Sequence, residues 1–203
     1  MKLYDNKMAN SPRKVRMFLS EKNINDIEMV EIDLMKGEHK TVEYRAIAPN
    51  SRIPALQLDD GTVIMESTAI CRYLESLYPE PNLFGQSPLE IASIEMWYSR
   101  ITYELATPLA HGFRHTHPHM RQMEDQNNEF GLAQRQIGVK ALEIYNEIIA
   151  TRAFIAGDNF SYADIQMAIN LKFLVRLNRL DIENYKNLNE YINKVYSRPS
   201  FSV

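Results

Sequence analysis

Residues able to hold or activate a small charged molecule fall in three places along this chain. The first is Ala9–Arg16, ANSPRKVR, where Ser11 followed by Pro12 reads as the cap and first residue of a helix. Arg13, Lys14 and Arg16 then crowd the positive end of the helix dipole, where acidic residues are expected, so a negative group from elsewhere would suit the site. Ser11 has two readings, a plain N-cap or a hydroxyl donor to an anion or thiolate. The second place is Glu66-Ser67, ahead of an apolar-striped helix. Ser67 as a cap offers its hydroxyl and nearby amides to a carboxylate, and Glu66 can accept from an ammonium; a simple cap with a favourable charge beside it fits equally well. The third is HGFRHTHPH, which holds His111, His115, His117 and His119. Alternate histidines share a face only in a strand, whereas this segment follows a helical pattern and contains Pro118, so no metal site is expected. Cys71 is the only cysteine, which excludes an intrachain disulfide and every paired-cysteine redox or zinc pattern. Thiol chemistry here must use another molecule's sulfur.

Two kinds of periodicity must position these residues. Up to about residue 80 the chain alternates strand and helix signals: a short strand at Lys2–Asp5, a helix to about Lys22 with Asn23 as a left-handed cap, and a period-two strand in EMVEID. A helical stretch near Val42–Ile47 follows, then ALQL and TVIM flanking an Asp-Asp-Gly turn as a hairpin, then a helix capped by Ser67. The order is βαβαββα. YPEPNLFGQSP is rich in proline and reads as a linker. Beyond it every periodic segment is helical. SPLE at Ser87–Glu90 is a capping box with proline at the first helical position. Pro108 should bend or end the helix it opens, and PHMRQMEDQNNEFG reads as a loop. FSYADI starts a helix with Ser161 and Asp164 as an acidic capping box, and Ile165–Leu177 behind it is apolar on most faces, as a central helix is.

The 203 residues carry a net charge of -3 spread evenly, with ordinary hydrophobic and charged fractions. Without a basic patch, nucleic acid is not an expected partner. No apolar run is long enough to span a bilayer, and MKLYDNKM lacks the apolar core of a signal peptide, so a cytoplasmic protein without membrane partners is expected.

The motifs KGEHK, PNSRIPALQLDDGT, MESTAICRYLE and FSYADI, in this order and spacing, make the chain resemble the cytosolic glutathione transferases over nearly its whole length. GEHKTVEY and RKVR…LSEKNI look like a fungal and bacterial branch that lacks the usual catalytic tyrosine, serine or cysteine. The resemblance implies an α/β thioredoxin-like domain over 1–79, a linker over 80–86 and an all-α domain over 87–203. It implies glutathione as co-substrate with no permanently bound cofactor, a small hydrophobic electrophile as the second substrate, and a homodimer. By family position Glu66 and Ser67 hold the γ-glutamyl end. Ile53-Pro54 matches the family's cis peptide, which pairs like an added strand with the cysteinyl part. His39 matches a contact to the glycyl carboxylate, with Lys40 and Arg52 in reach of the same group. Tyr103, Phe113, Arg114 and His115, with His111 beside them, border the acceptor pocket. Asp164 belongs to a structural capping signal, and Cys71 to the packed interior of its helix.

The chain departs from the family pattern at Ala9, which stands where the catalytic serine or cysteine of other classes falls. An asparagine donor occupies the position of Ser11 in some bacterial relatives. The expected catalytic groups are therefore Ser11, the free amides around Pro12–Lys14, and His115 acting through a water. Conjugation of the glutathione thiolate to electrophiles is the leading expectation. Glutathione-dependent disulfide or peroxide reduction, and a non-catalytic glutathione-binding regulator, are the alternatives.

Overall fold

The structure, a computed structural model, describes residues 1–202 and divides into two compact units, Met1–Leu83 with the chain from Pro199 onward, and Phe84–Arg198. The first contains β1 (Lys2–Asp5), α1 (Asn10–Glu21), β2 (Glu28–Glu31), α2 (Val42–Ile47), β3 (Ala55–Gln57), β4 (Val63–Met65) and α3 (Ser67–Leu77). This is the βαβαββα order of the sequence pattern. The sheet runs β2-β1-β3-β4, with β1 parallel to β2 and antiparallel to β3, and β3 antiparallel to β4. The chain returns through α1 to lay β2 parallel to β1, as a parallel pair requires. Asn23 takes the left-handed conformation (φ 54°) that ends α1, and Gly61 (φ 88°) turns the hairpin.

One face of the sheet packs Tyr4, Ala55 and Ile32 against Tyr44 and Ala48 around α2. Tyr4 and Tyr44 meet edge-to-face at 5.8 Å. A buried ion pair holds α1 to α3. Lys22, its side chain 0% exposed, places Nζ 2.7 Å from Glu75 Oε2 and donates to the carbonyls of Tyr78 and Pro81 at 2.7 Å each. Glu75 Oε1 accepts the Leu83 amide at 2.9 Å.

Two helix starts differ from the sequence expectation. Ala9, not Ser11, is the N-cap of α1, so Asn10 is the first helical residue and Pro12 stands third. The Asn6 carbonyl accepts the Ala9 amide at 3.0 Å and the Ala9 carbonyl accepts Arg13 N–H at 3.3 Å, which starts the helix two residues early. Pro12 is tolerated there because the amides of the first turn have no intrahelical partner to lose. In α3 the N-cap is Glu66 and Ser67 is the first helical residue. The end of the chain also differs from the expected division, since the turn Pro199–Ser202 packs with the first unit. Arg13 Nη2 donates to the Phe201 carbonyl at 2.7 Å, and Ser200 Oγ donates to Glu21.

The second unit is helical throughout: α4 (Pro88–Arg100), α5 (Thr107–Thr116), α6 (Asn128–Ile149), α7 (Tyr162–Leu177) and α8 (Lys186–Tyr196). The capping box is formed, with Ser87 Oγ accepting Glu90 N–H and Glu90 Oε2 accepting Ser87 N–H. Pro108 does not end the helix. A wide-turn π segment, Ile101–Ala106, joins α4 to α5 and absorbs the hydrogen bond that proline cannot donate. The presumed loop after α5 contains a single-turn helix at Pro118–Gln122. Every residue from Tyr162 to Ile169 is buried, so α7 is central to this unit. Its buried Asp164 accepts from Ser161 N and Oγ, Ile155 N and Tyr191 Oη, at 2.8, 2.9, 2.9 and 2.7 Å. No described helix is long and apolar enough to cross a membrane.

The ion pair gives a stability prediction. Glu75→Ala should cost about 3–5 kcal/mol because it strands a buried ammonium. Replacing both partners, Lys22→Met with Glu75→Leu, should recover most of that loss. Denaturant midpoints of the single and double variants check this.

Candidate functional site

The glutathione positions expected from the sequence all fall in the first unit, on four chain segments. The first is the start of α1. The amides of Asn10 and Ser11 meet no partner among the described residues, Pro12 has no amide to offer, and the exposed Ser11 hydroxyl is likewise unpaired. Of the three cations there, two have structural tasks. Arg13 reaches the Phe201 carbonyl, and Arg16 binds the buried Asp5 carboxylate and the carbonyls of Asn6 and Lys7. Arg16 thereby ties down the turn between β1 and α1.

Lys14 is different. It is half-buried on α1, and burial pulls its amine down from 10.5 to about 8, an effect partly offset by the negative charge available at Cys71 and Glu66. The interaction places the amine in the electrostatic neighbourhood of α3's first turns. The basic cluster visible in the sequence is thus one functional candidate and two structural arginines.

The start of α3 is the second segment. Glu66 has φ 73° and ψ 122°, a conformation that costs a non-glycine residue roughly 1–3 kcal/mol and that persists where the surroundings impose it. Its side chain is exposed and makes no capping bond, while Ser67 is buried with its hydroxyl unpartnered among the described residues. An acceptor and a donor therefore stand side by side at a helix N-terminus, where partial positive charge favours a carboxylate.

The third segment runs into β3. Ile53-Pro54 is cis, as the resemblance implied, and Ile53 packs partly buried against the core below α2. Tyr44 Oη donates to the Arg52 carbonyl at 2.7 Å, fixing the backbone just ahead of Ile53. Burial, with Tyr4 alongside, pushes the Tyr44 phenol up to about 12, so it remains a donor at any working pH. The Arg52 side chain is exposed. The fourth segment is the single turn Glu38–Lys40, where His39 Nδ1 is buried and has no hydrogen-bond partner among the described residues, and Lys40 is exposed.

The acceptor-pocket positions fall in the second unit. Tyr103 is exposed on the π segment, and Arg114 pairs with Glu124. His115 Nδ1 accepts the Asn127 amide at 3.2 Å, and its ring meets Phe130 at 5.0 Å; His111 stands 5.6 Å from the same ring. Phe113 instead lines a cavity with His117 and His119. No group of three or more potential metal ligands occurs among the described residues.

Sequence reasoning missed Lys14 as distinct from its neighbours, and Tyr44 altogether. Lys14 was visible as a cation, but its burial was not. The only signal at Tyr44 was its place on a short amphipathic helix.

A four-stranded mixed sheet of this order, joined to a helical unit with a buried capping box, defines a thioredoxin-like plus all-α architecture. The comparisons with known proteins carry the assignment further. Residues 10–77 match the family model for the glutathione S-transferase N-terminal domain, and 111–199 match that for the C-terminal domain. Glutathione S-transferase 2 of Saccharomyces cerevisiae is 36% identical over 98% of this chain and 87% of its own length. The crystal structure of Gtt2 from Saccharomyces cerevisiae superposes with a TM-score of 0.88 at 35% identity, covering 100% of this chain and 99% of that one. A glutathione S-transferase domain-containing protein of Marinobacter aquaeolei gives 0.89 at 33% identity, covering 98% and 99%. This chain belongs to the glutathione S-transferase family.

Two predictions follow from the geometry. Tyr44→Phe should raise KM for glutathione several-fold with little change in kcat, and lower unfolding stability by about 1 kcal/mol, as removal of one buried hydrogen bond does; steady-state kinetics and denaturation check both. For Lys14, the folded chain gives up its proton near pH 8 while the unfolded chain keeps it to 10.5. The unfolded state binds more protons in between, so stability should rise from about pH 8 to 10.5. Lys14→Met should remove that rise, as urea titrations across the range would show.

Proposed function

We propose that the chain conjugates the thiolate of glutathione to small hydrophobic electrophiles, as a cytoplasmic homodimer serving detoxification. One observation carries the reading: the strained, exposed Glu66 and the buried Ser67, whose hydroxyl has no partner among the described residues, set an acceptor and a donor side by side at the start of α3. Glutathione offers matching chemistry, with a carboxylate and an ammonium at its γ-glutamyl end, a peptide backbone, a thiol and a second carboxylate. In this reading Glu66 accepts from the ammonium and Ser67 donates to the adjacent carboxylate. The backbone of Ile53, ahead of Pro54, pairs with the cysteinyl part. His39 meets the glycyl carboxylate, and its unpartnered buried nitrogen supports that role; Lys40 and Arg52 add positive charge around it. Residues 1–79 thus serve as the glutathione-binding domain, 80–86 as a linker, and 87–203 supply the acceptor pocket through Tyr103, Phe113 and Arg114.

Catalysis needs the thiol ionised near neutral pH. Lowering a thiol from about 8.5 by two units takes nearly 3 kcal/mol of preferential thiolate stabilisation. A hydrogen bond to a charged group supplies about 1.5–3 kcal/mol and an exposed helix start about 0.3–1 more. The unpaired Ser11 hydroxyl and the free amides of Asn10 and Ser11 are sufficient in number and kind. His115, with one ring nitrogen already accepting from Asn127, retains the other to hold a water.

Retention on immobilised glutathione tests the binding, and failure to bind would overturn the reading. Ser11→Ala should raise the pKa of bound glutathione by about one to two units, the equivalent of one charged hydrogen bond. Thiolate absorbance titrated against pH, alongside turnover of a chlorinated nitroaromatic, measures it; an unchanged pKa assigns the work to the amides. Binding without turnover of that acceptor, a mixed disulfide or a peroxide would mark a regulatory protein instead.

A further inference from the structure

Local chemistry holds the first turn of α1 poorly. Ala9, its N-cap, has no side-chain oxygen to accept an amide, and no acidic residue stands in that turn. Arg13, Lys14 and Arg16 add positive charge where the helix dipole is already positive. The backbone bond from the Arg13 amide to the Ala9 carbonyl is long, at 3.3 Å. A helix start of this composition should fray, yet its free amides can favour a thiolate only from a fixed position. We propose, on the conjugation reading given above, that the turn Pro199–Ser202 clamps the start of α1 and so aims those amides, with Arg13 and Phe201 as positioning residues.

The clamp grips α1 at two points. Arg13 Nη2 donates to the Phe201 carbonyl at 2.7 Å, and the same guanidinium stands 5.4 Å from the centroid of the Phe201 ring. About two helical turns further on, Glu21 accepts from Ser200 Oγ. One attachment would leave α1 free to swivel about it, and two do not. Phe201 and Ser200 are 4% and 2% exposed, so the turn is packed into the first unit rather than laid over it. That packing shields the Arg13 hydrogen bond from competing water.

Arg13 and Arg16 divide the task. Arg16 reaches back to Asp5, Asn6 and Lys7 and fixes the chain ahead of the helix. Arg13, two residues beyond Ser11, fixes the helix start itself, through a carbonyl 188 residues away. An ordinary capping side chain at residue 9 would do this differently. It would accept the amide of Ser11, because Pro12 at the next position has none to offer. Holding the turn from outside leaves the Asn10 and Ser11 amides both open to a ligand.

Three variants of the whole chain test the clamp. Arg13→Leu removes both contacts of the guanidinium, Arg13→Lys keeps the charge and a donor, and Ser200→Ala with Phe201→Leu loosens the turn while Arg13 stays. Arg13→Leu should raise the pKa of bound glutathione by about one unit and lower kcat near pH 6.5 about tenfold, with KM for glutathione within about twofold of the parent. The loss should fade as pH rises past the thiol pKa. The double variant should lose about threefold or more in the same direction, and Arg13→Lys should recover most of the loss. S-hexylglutathione, which has no thiol to ionise, should bind every variant with parental affinity. Hydrogen exchange in the first turn of α1 should quicken about tenfold in the double variant, with α3 unchanged. Parental kcat and thiol pKa in the double variant, beside a loss in Arg13→Leu, would assign the effect to the Arg13 charge and overturn the clamp. So would an equal loss at every pH with the thiol pKa unchanged, the mark of a merely structural contact. If Arg13→Leu does not fold, the double variant and Arg13→Lys decide alone. Failure of the parental chain to bind S-hexylglutathione would overturn the conjugation reading instead, and the exchange measurement would still decide the clamp.

Discussion

The first unit depends on one buried contact, the Lys22–Glu75 pair at the far ends of α1 and α3. The proposed glutathione contacts lie at the N-termini of both helices, Asn10–Lys14 on one and Glu66-Ser67 on the other. Those ends stay in register only if the helices cannot slide. A hydrophobic interface alone tolerates small slips, because dispersion contacts are weak and non-directional. A fully buried ammonium does not, since each of its donors must find an acceptor or the charge is stranded. Lys22 uses the Glu75 carboxylate and the Tyr78 and Pro81 carbonyls, and Glu75 turns its other oxygen to the Leu83 amide. Helix packing, the turn after α3 and the exit of the chain are thereby set by one charge.

The same economy holds around the other site segments. Arg16 spends its guanidinium on Asp5 and the carbonyls of the turn between β1 and α1, and Tyr44 spends its hydroxyl on the Arg52 carbonyl. In the second unit the Asp164 carboxylate gathers four donors from Ile155, Ser161 and Tyr191. Burial pushes this carboxyl up, and its hydrogen bonds oppose that shift. In each case a polar group with several bonding directions holds backbone that apolar packing would leave adjustable. Among the described residues, the Ser11 and Ser67 hydroxyls and His39 Nδ1 are in contrast left without a partner.

The local signals in the sequence were read well where the physics is local. The Ser87–Glu90 and Ser161–Asp164 boxes, the left-handed Asn23 and the Asp-Asp-Gly turn each involve groups a few residues apart, so residue type and spacing suffice. Ser11 and Ser67 misled for the same reason. A serine before a helical stripe looks like a cap, but Asn6 and Ala9 start α1 earlier, and the strained backbone at Glu66 takes the cap position of α3. Pro108 looked like a helix end, and a π segment accommodated it because the rest of the helix is held by neighbours in the unit.

What the sequence by itself determined is the order of elements, the two-part organisation and the family, since periodicity and motif spacing are properties of the chain. It also named the residue types around a glutathione-sized set of charges. Only the tertiary structure distinguished Lys14 from Arg13 and Arg16, left His39 Nδ1 buried without a partner among the described residues, and brought the turn Pro199–Ser202 back against α1. Those outcomes depend on burial and on partners far apart in the chain, as in Arg13 with Phe201. Desolvation and long-range pairing act on a charge only once the surroundings are built, and no run of neighbouring residues encodes them.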